Sequence, residues 1–133
     1  MNAYPITSLA IILIVLLQFS FAFLVGKARG RSGIKAPAMT GDPGLERAVR
    51  VQANTIEQVL MFLPALVLAL PLLGDIYAAI LAAIWIVGRV VFAKGYLRDP
   101  KARATGFIIT VLALLVAVIC AIWAAVRALI LIG

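Results

Sequence analysis

The chain has no histidine and a single cysteine, Cys120. One thiol forms no intramolecular disulfide, and this one lies in an apolar run, where a free cysteine packs as a small hydrophobe. Without imidazole, the usual ligand sets for zinc, haem and iron–sulfur clusters are missing, so no metal centre is expected. Neither a histidine base nor a cysteine nucleophile presents itself. Acidic side chains are scarce as well: Asp and Glu number 5 against 12 Lys and Arg, a formal charge of +7. Charged residues of both signs amount to 13% of the sequence, about half the share in soluble domains.

Hydrocarbon takes their place. Hydrophobic residues reach 65% and mean hydropathy is +1.18, where ordinary globular domains are roughly 45–50% apolar. A length of 133 residues suits one membrane domain, expected to cover 1–133. The basic residues cluster beside apolar runs, where Lys and Arg set topology or meet anionic headgroups, so the positive charge does not point to nucleic acid.

The sequence predicts an all-α, integral-membrane four-helix bundle. Its spans fall at about 5–25, 44–73, 75–97 and 102–131, each long enough for the ~20 residues a membrane helix needs. The first is not read as a cleaved leader: no Lys or Arg precedes it, and it exceeds the 7–15 apolar residues of an h-region. Gly26–Gly44 is rich in Gly, Pro and basic residues and reads as a loop. Asp42-Pro43-Gly44 then opens a helix, with an acidic N-cap, Pro in the first turn and Glu46 just beyond. Pro64 within this helix predicts a kink. Leu72-Leu73-Gly74-Asp75 predicts a tight turn between antiparallel neighbours.

Orientation follows from charge. Lys27, Arg29, Arg31 and Lys35 follow span one, and Lys94, Arg98, Lys101 and Arg103 surround the last connection. The opposite side has Asp75 in its turn and Arg127 near the C-terminus. The positive-inside rule makes the basic connections cytoplasmic and places both termini on the non-cytoplasmic side.

Arg50, Asn54 and Glu57 stand at i, i+4 and i+7, one face of a helix, and Trp85, Arg89 and Tyr96 share a face of the next. Arg103 opens the last span from the same side. Intramembrane ionisable groups are costly and turn toward a bundle interior or a polar cavity. A pocket of several Arg donors, a carboxylate, an amide and a phenol suits a small ligand with carboxylates, which Arg pairs bidentately. The same residues fit a structural network that cements helices together, with Arg50 and Glu57 paired through Arg89. Left unpaired, three such groups cost on the order of 8–10 kcal/mol. A channel or transporter fits less well, because the polar groups gather at one end instead of spanning the depth of the membrane.

The elements Glu46-Arg47-x-x-Arg50-x-Gln52-x-Asn54-x-x-Glu57, a downstream Pro64, and Gly88-Arg89 followed by Gly95-Tyr96 resemble the MAPEG family, the membrane-associated proteins of eicosanoid and glutathione metabolism. The likeness covers nearly the whole chain. It implies a homotrimer whose glutathione sites lie between subunits near the cytoplasmic face. By motif position it implies glutathione contacts from Arg50, Gln52, Asn54 and Glu57, from Arg89 and Tyr96, and from Arg29 after span one. Gln52 points away from Arg50, as suits a site shared across a subunit boundary. Arg103 matches the arginine proposed to stabilise the glutathione thiolate, since a cation near sulfur lowers a thiol pKa.

The implied activity is that of a glutathione transferase or peroxidase acting on lipophilic electrophiles, in a bacterial inner membrane or the endoplasmic reticulum. The alternative is a non-catalytic branch that presents lipid to a partner. Phe92 and Gln58 stand where the leukotriene enzyme has tyrosines, and Gly30 where it has an arginine. Those departures speak against eicosanoid-specific chemistry.

Overall fold

The computed structural model describes residues 3–133. Helix α1 spans Pro5–Ser32, α2 spans Pro43–Arg98, a 3-10 turn covers Pro100–Arg103, and α3 spans Ala104–Ile132. All three α-helices are long and apolar enough to cross a membrane. Large apolar side chains such as Phe23, Leu60, Val87 and Ile119 project outward from them. In a bilayer those faces meet lipid, where a helix keeps its backbone groups paired along its length.

The long helix α2 is not straight. At Gly74 the backbone leaves helical geometry, with φ 70° and ψ 176°, a left-handed region that glycine enters without a Cβ penalty. The two arms then run back along each other. Arg47 Nη1 donates to the carbonyls of Leu97 (3.2 Å) and Arg98 (3.0 Å). Arg89 Nη2 reaches Asn54 Oδ1 at 2.9 Å. Phe62 and Trp85 stack with ring centroids 5.0 Å apart. Each step toward Gly74 on one arm is matched by a step toward it on the other, as in an antiparallel hairpin. Pro64 and Pro71 remain inside the first arm, and the residue that departs from helical angles is Gly74. A proline ring removes one hydrogen bond yet leaves φ compatible with a helix.

Two expected boundaries move. Helix α1 continues to Ser32, past the end anticipated at Val25, because Gly26 and Gly30 weaken a helix without stopping it. It stops at Gly33, whose φ of 73° forms a left-handed cap with its N–H on the Arg29 carbonyl. Arg29 and Arg31 occupy the last turn, where cations complement the helix dipole. The last span starts later than predicted, at Ala104, because Asp99 accepts from Lys101 N and winds Pro100–Arg103 into a 3-10 turn first. The predicted start of α2 is seen as expected: Asp42 accepts from Leu45 N at 2.8 Å.

The far end is fastened by Asp75. Its carboxylate accepts from Ile6 N (3.0 Å) and Thr7 N (2.7 Å), and Thr7 Oγ1 donates to the Asp75 carbonyl. The first turn of α1 lacks a side-chain cap of its own, so the hinge of α2 supplies one. Between the ends lies a core of Ile14, Phe62, Leu66, Trp85 and a row of alanines. On α3 the buried residues are Gly106, Thr110, Ala113, Leu114, Ala117 and Ala121, all small but Leu114. Small residues let membrane helices approach closely, which matters where apolar burial gives no preference for helix over lipid.

Candidate functional site

The close approach of α3 to α2 decides where the polar residues meet. A Cβ built on Gly106 collides with the Phe92 backbone and comes within 2.7 Å of the Gly88 carbonyl. On Gly88 it falls 3.0 Å from Thr110 N. Backbone therefore lies against backbone here, and the start of α3 is pressed onto the second arm of α2. That contact carries Arg103 and Phe107 alongside Tyr96 and Phe92.

The result is a cleft of about 280 Å³ lined by Arg50, Asn54, Phe92, Tyr96, Arg103 and Phe107. It continues into a second, of about 400 Å³, that shares Arg50 and Tyr96 and reaches Glu46 and Arg47. Four of the sequence-predicted residues thus converge: Arg50, Asn54, Tyr96 and Arg103. Arg103 Nη1 donates to the Pro100 carbonyl at 2.9 Å, which holds the side chain against its own 3-10 turn. Arg50 is exposed and, among the described residues, has no hydrogen-bond partner. The first cleft has no carboxylate in its lining, so two guanidinium groups set its sign. Apolar flanks from Phe92 and Phe107 strengthen that field by excluding water.

Arg89 lies beneath this surface and is 0% exposed. Its Nη2 donates to both Asn54 Oδ1 and Thr55 Oγ1 at 2.9 Å. Its guanidinium carbon sits 4.1 Å from the centre of the Phe92 ring, within cation–π range. The Nε and Nη1 donors are buried and have no hydrogen-bond partner among the described residues. The Glu57 side chain is on the exposed face of α2. The alternative reading, a structural network of Arg50, Arg89 and Glu57, is not formed among the described residues; Arg89 joins Asn54 and Thr55 instead.

Three further predicted residues stand apart from the cleft. Glu57 faces outward. Gln52 lines a separate apolar groove of about 360 Å³ between α1 and α2, together with Gln18, Phe19 and Ile56. Arg29 donates to the carbonyls of Ile34 (3.4 Å) and Ala38 (2.6 Å), bracing the connection after α1. Sequence reasoning missed Thr55 and Phe107 and treated Phe92 only as a departure. Thr55 adjoins Asn54, and Phe107 stands one turn after Arg103, so position alone could have raised them.

Fold and site together define a multi-pass helical membrane protein with a cationic, donor-lined cleft at its basic end. The chain belongs to the MAPEG family, whose model matches residues 7–123. It is 42% identical over 102 residues to an uncharacterized protein of Synechocystis, covering 77% of this chain and 72% of that one. Human microsomal glutathione S-transferase 2 is 38% identical over 90 residues, 68% of this chain and 61% of the human protein. Bovine leukotriene C4 synthase is 33% identical over 89 residues, 67% of this chain and 59% of the bovine one. The matched stretch thus spans about three fifths of the transferase and synthase relatives.

Proposed function

We propose that the chain is a membrane-bound glutathione transferase or glutathione-dependent peroxidase that detoxifies lipophilic electrophiles. The cleft in which Arg50, Asn54, Tyr96 and Arg103 converge carries this reading. Glutathione brings two carboxylates, an amine and a thiol. The cationic cleft takes carboxylate, and Arg103 is the candidate for holding the sulfur as thiolate. In conjugation the thiolate sulfur attacks the electrophilic carbon, a C–S bond forms, and the leaving group departs with its electron pair. Stabilising the thiolate and holding it near a bilayer-delivered substrate supplies rate without a conventional base. The glutathione transferase relatives support the choice of glutathione.

The two arms of α2 act in this reading as separate spans, making a four-helix bundle from a single domain over 1–133. Three chains form a homotrimer, and Arg29, Gln52 and Glu57 reach the glutathione site across the boundary between neighbours. Both termini lie on the non-cytoplasmic side, in a bacterial inner membrane or the endoplasmic reticulum. The test is turnover by detergent-purified protein with a chlorodinitrobenzene-type electrophile and with lipid hydroperoxides, monitored beside thiolate absorbance on glutathione addition. Turnover with either substrate class, accompanied by the thiolate signal, is expected. Glutathione binding without turnover across the panel overturns the enzymatic reading. Fatty-acid binding without glutathione binding favours a lipid-presenting protein.

A further inference from the structure

We propose that Arg89 is a positioning residue that acts through Asn54. It fixes the Asn54 carboxamide with its NH2 group toward the cleft, and so makes the cleft selective for anionic, acceptor-rich ligands. The proposal rests on the glutathione reading only for its choice of ligand.

A guanidinium has five donors and no acceptor. With Arg89 Nη2 at 2.9 Å, Asn54 must offer its carbonyl oxygen, and both amide protons are left for the other side. Thr55 closes the alternative. Its hydroxyl gives its one proton to the Val51 carbonyl at 2.8 Å and accepts from Arg89 at 2.9 Å. Every proton in the chain from Arg89 through Thr55 to Val51 therefore has one direction, and neither partner of Arg89 can turn round without breaking a bond. The Phe92 ring under the guanidinium holds its plane.

Arg89 is itself fully buried, whereas Asn54 is half-exposed and lines the cleft. The buried cation thus shapes the site through a neutral residue. With Arg50 and Arg103 also donor-only and the Asn54 oxygen engaged by Arg89, Tyr96 is the one polar side chain of the lining whose acceptor is not already bonded to Arg89. Freed from Arg89, the amide could present its oxygen instead, and a ligand carboxylate or thiolate would meet an acceptor in place of a donor.

The chain has two asparagines, Asn2 and Asn54. Selective ¹⁵N-asparagine labelling therefore isolates the Asn54 NH2 signals, assigned by their loss in Asn54→Ala. In the ligand-free wild-type protein they are expected as a fixed, dispersed pair that moves to free-amide positions in Arg89→Met. Glutathione titrations in the same detergent should show affinity reduced about tenfold in Arg89→Met, the effect of one hydrogen bond to a charged group. Asn54→Ala should lose as much, and the double variant no more than either. Asn54→Asp keeps an acceptor for Arg89 and should stay folded, yet lose glutathione binding because it turns a carboxylate toward the ligand.

Additive losses in the double variant, or unchanged Asn54 signals in Arg89→Met, overturn the proposal. If Arg89→Met does not yield folded protein, retained glutathione affinity in Asn54→Asp overturns it alone. If wild-type protein does not bind glutathione, the functional reading fails, and the labelled spectrum still decides whether Arg89 orients Asn54.

Discussion

Two arginines near the same cleft are held in different ways. Arg89 is enclosed and bonded to side chains, while Arg103 is exposed at the rim and, among the described residues, bonded only to a backbone carbonyl. Charge that develops on sulfur is best met by the group free to face it. Arg103→Ala is therefore expected to lower turnover by ~10²–10³ while leaving glutathione affinity nearly intact, the usual cost of one electrostatic stabiliser. Lys35→Ala, in the exposed connection after α1, should change neither. Thiolate absorbance and rate measured on both variants check this, and an Arg103→Ala protein with full signal shifts the role to Arg29. The spacing of Arg50 and Asn54 made their shared face legible in the sequence. The depth of Arg89 was not legible, because periodicity gives a direction around a helix and says nothing of how near the next helix comes.

That nearness is a property of elements, and here glycine controls it. Gly88 and Gly106 bring α2 and α3 backbone to backbone, and Arg103 reaches the cleft only because α3 starts so close. Adding a methyl group at Gly106 forces the helices apart. Gly106→Ala is expected to cost about 1–3 kcal/mol, as overpacking does, and to reduce turnover by displacing Arg103. Gly30→Ala is the control: its Cβ meets nothing within 4 Å, and replacing glycine inside a helix should be neutral or gain roughly 0.5–1 kcal/mol. Thermal unfolding in one detergent compares the two.

The same physics separates what the sequence revealed about elements from what it hid. Apolar length located the stretches that form the three long helices, and Asp42 with Pro43 marked a start that the structure keeps. The end of α1 was hidden. Val25 closes the hydrocarbon run, but a helix ends at its cap, and the cap is Gly33. The fastening of α1 by Asp75 was hidden too, since it joins residues 68 and 69 positions apart.

At the scale of the whole molecule, the surface of a single chain leaves polar groups of α2 uncovered. Arg50 and Glu57 are both exposed on the first arm of α2, and a charge at the centre of a membrane helix costs about 2.5–3.5 kcal/mol. Gln52 opens onto the α1–α2 groove, on a different side from the cleft. A ring of three copies reconciles these facts, because a head-to-tail interface sets one face of each subunit against a different face of its neighbour. Arg103 of one chain and Gln52 of the next would then serve the same glutathione.

Mixing variants tests that arrangement. Arg103→Ala removes one half of each shared site and Gln52→Ala the other. Co-expressed at equal levels, they should restore intact sites at roughly a quarter of the boundaries, since each interface draws its two faces independently. Activity at limiting glutathione should therefore exceed that of either variant alone, and native mass spectrometry in mild detergent should show trimers containing both. Mixed trimers whose activity is only the average of the parents would mean that each site is built within one chain. A clean monomer that still binds glutathione would mean the same, and would leave Glu57 facing lipid without a reason.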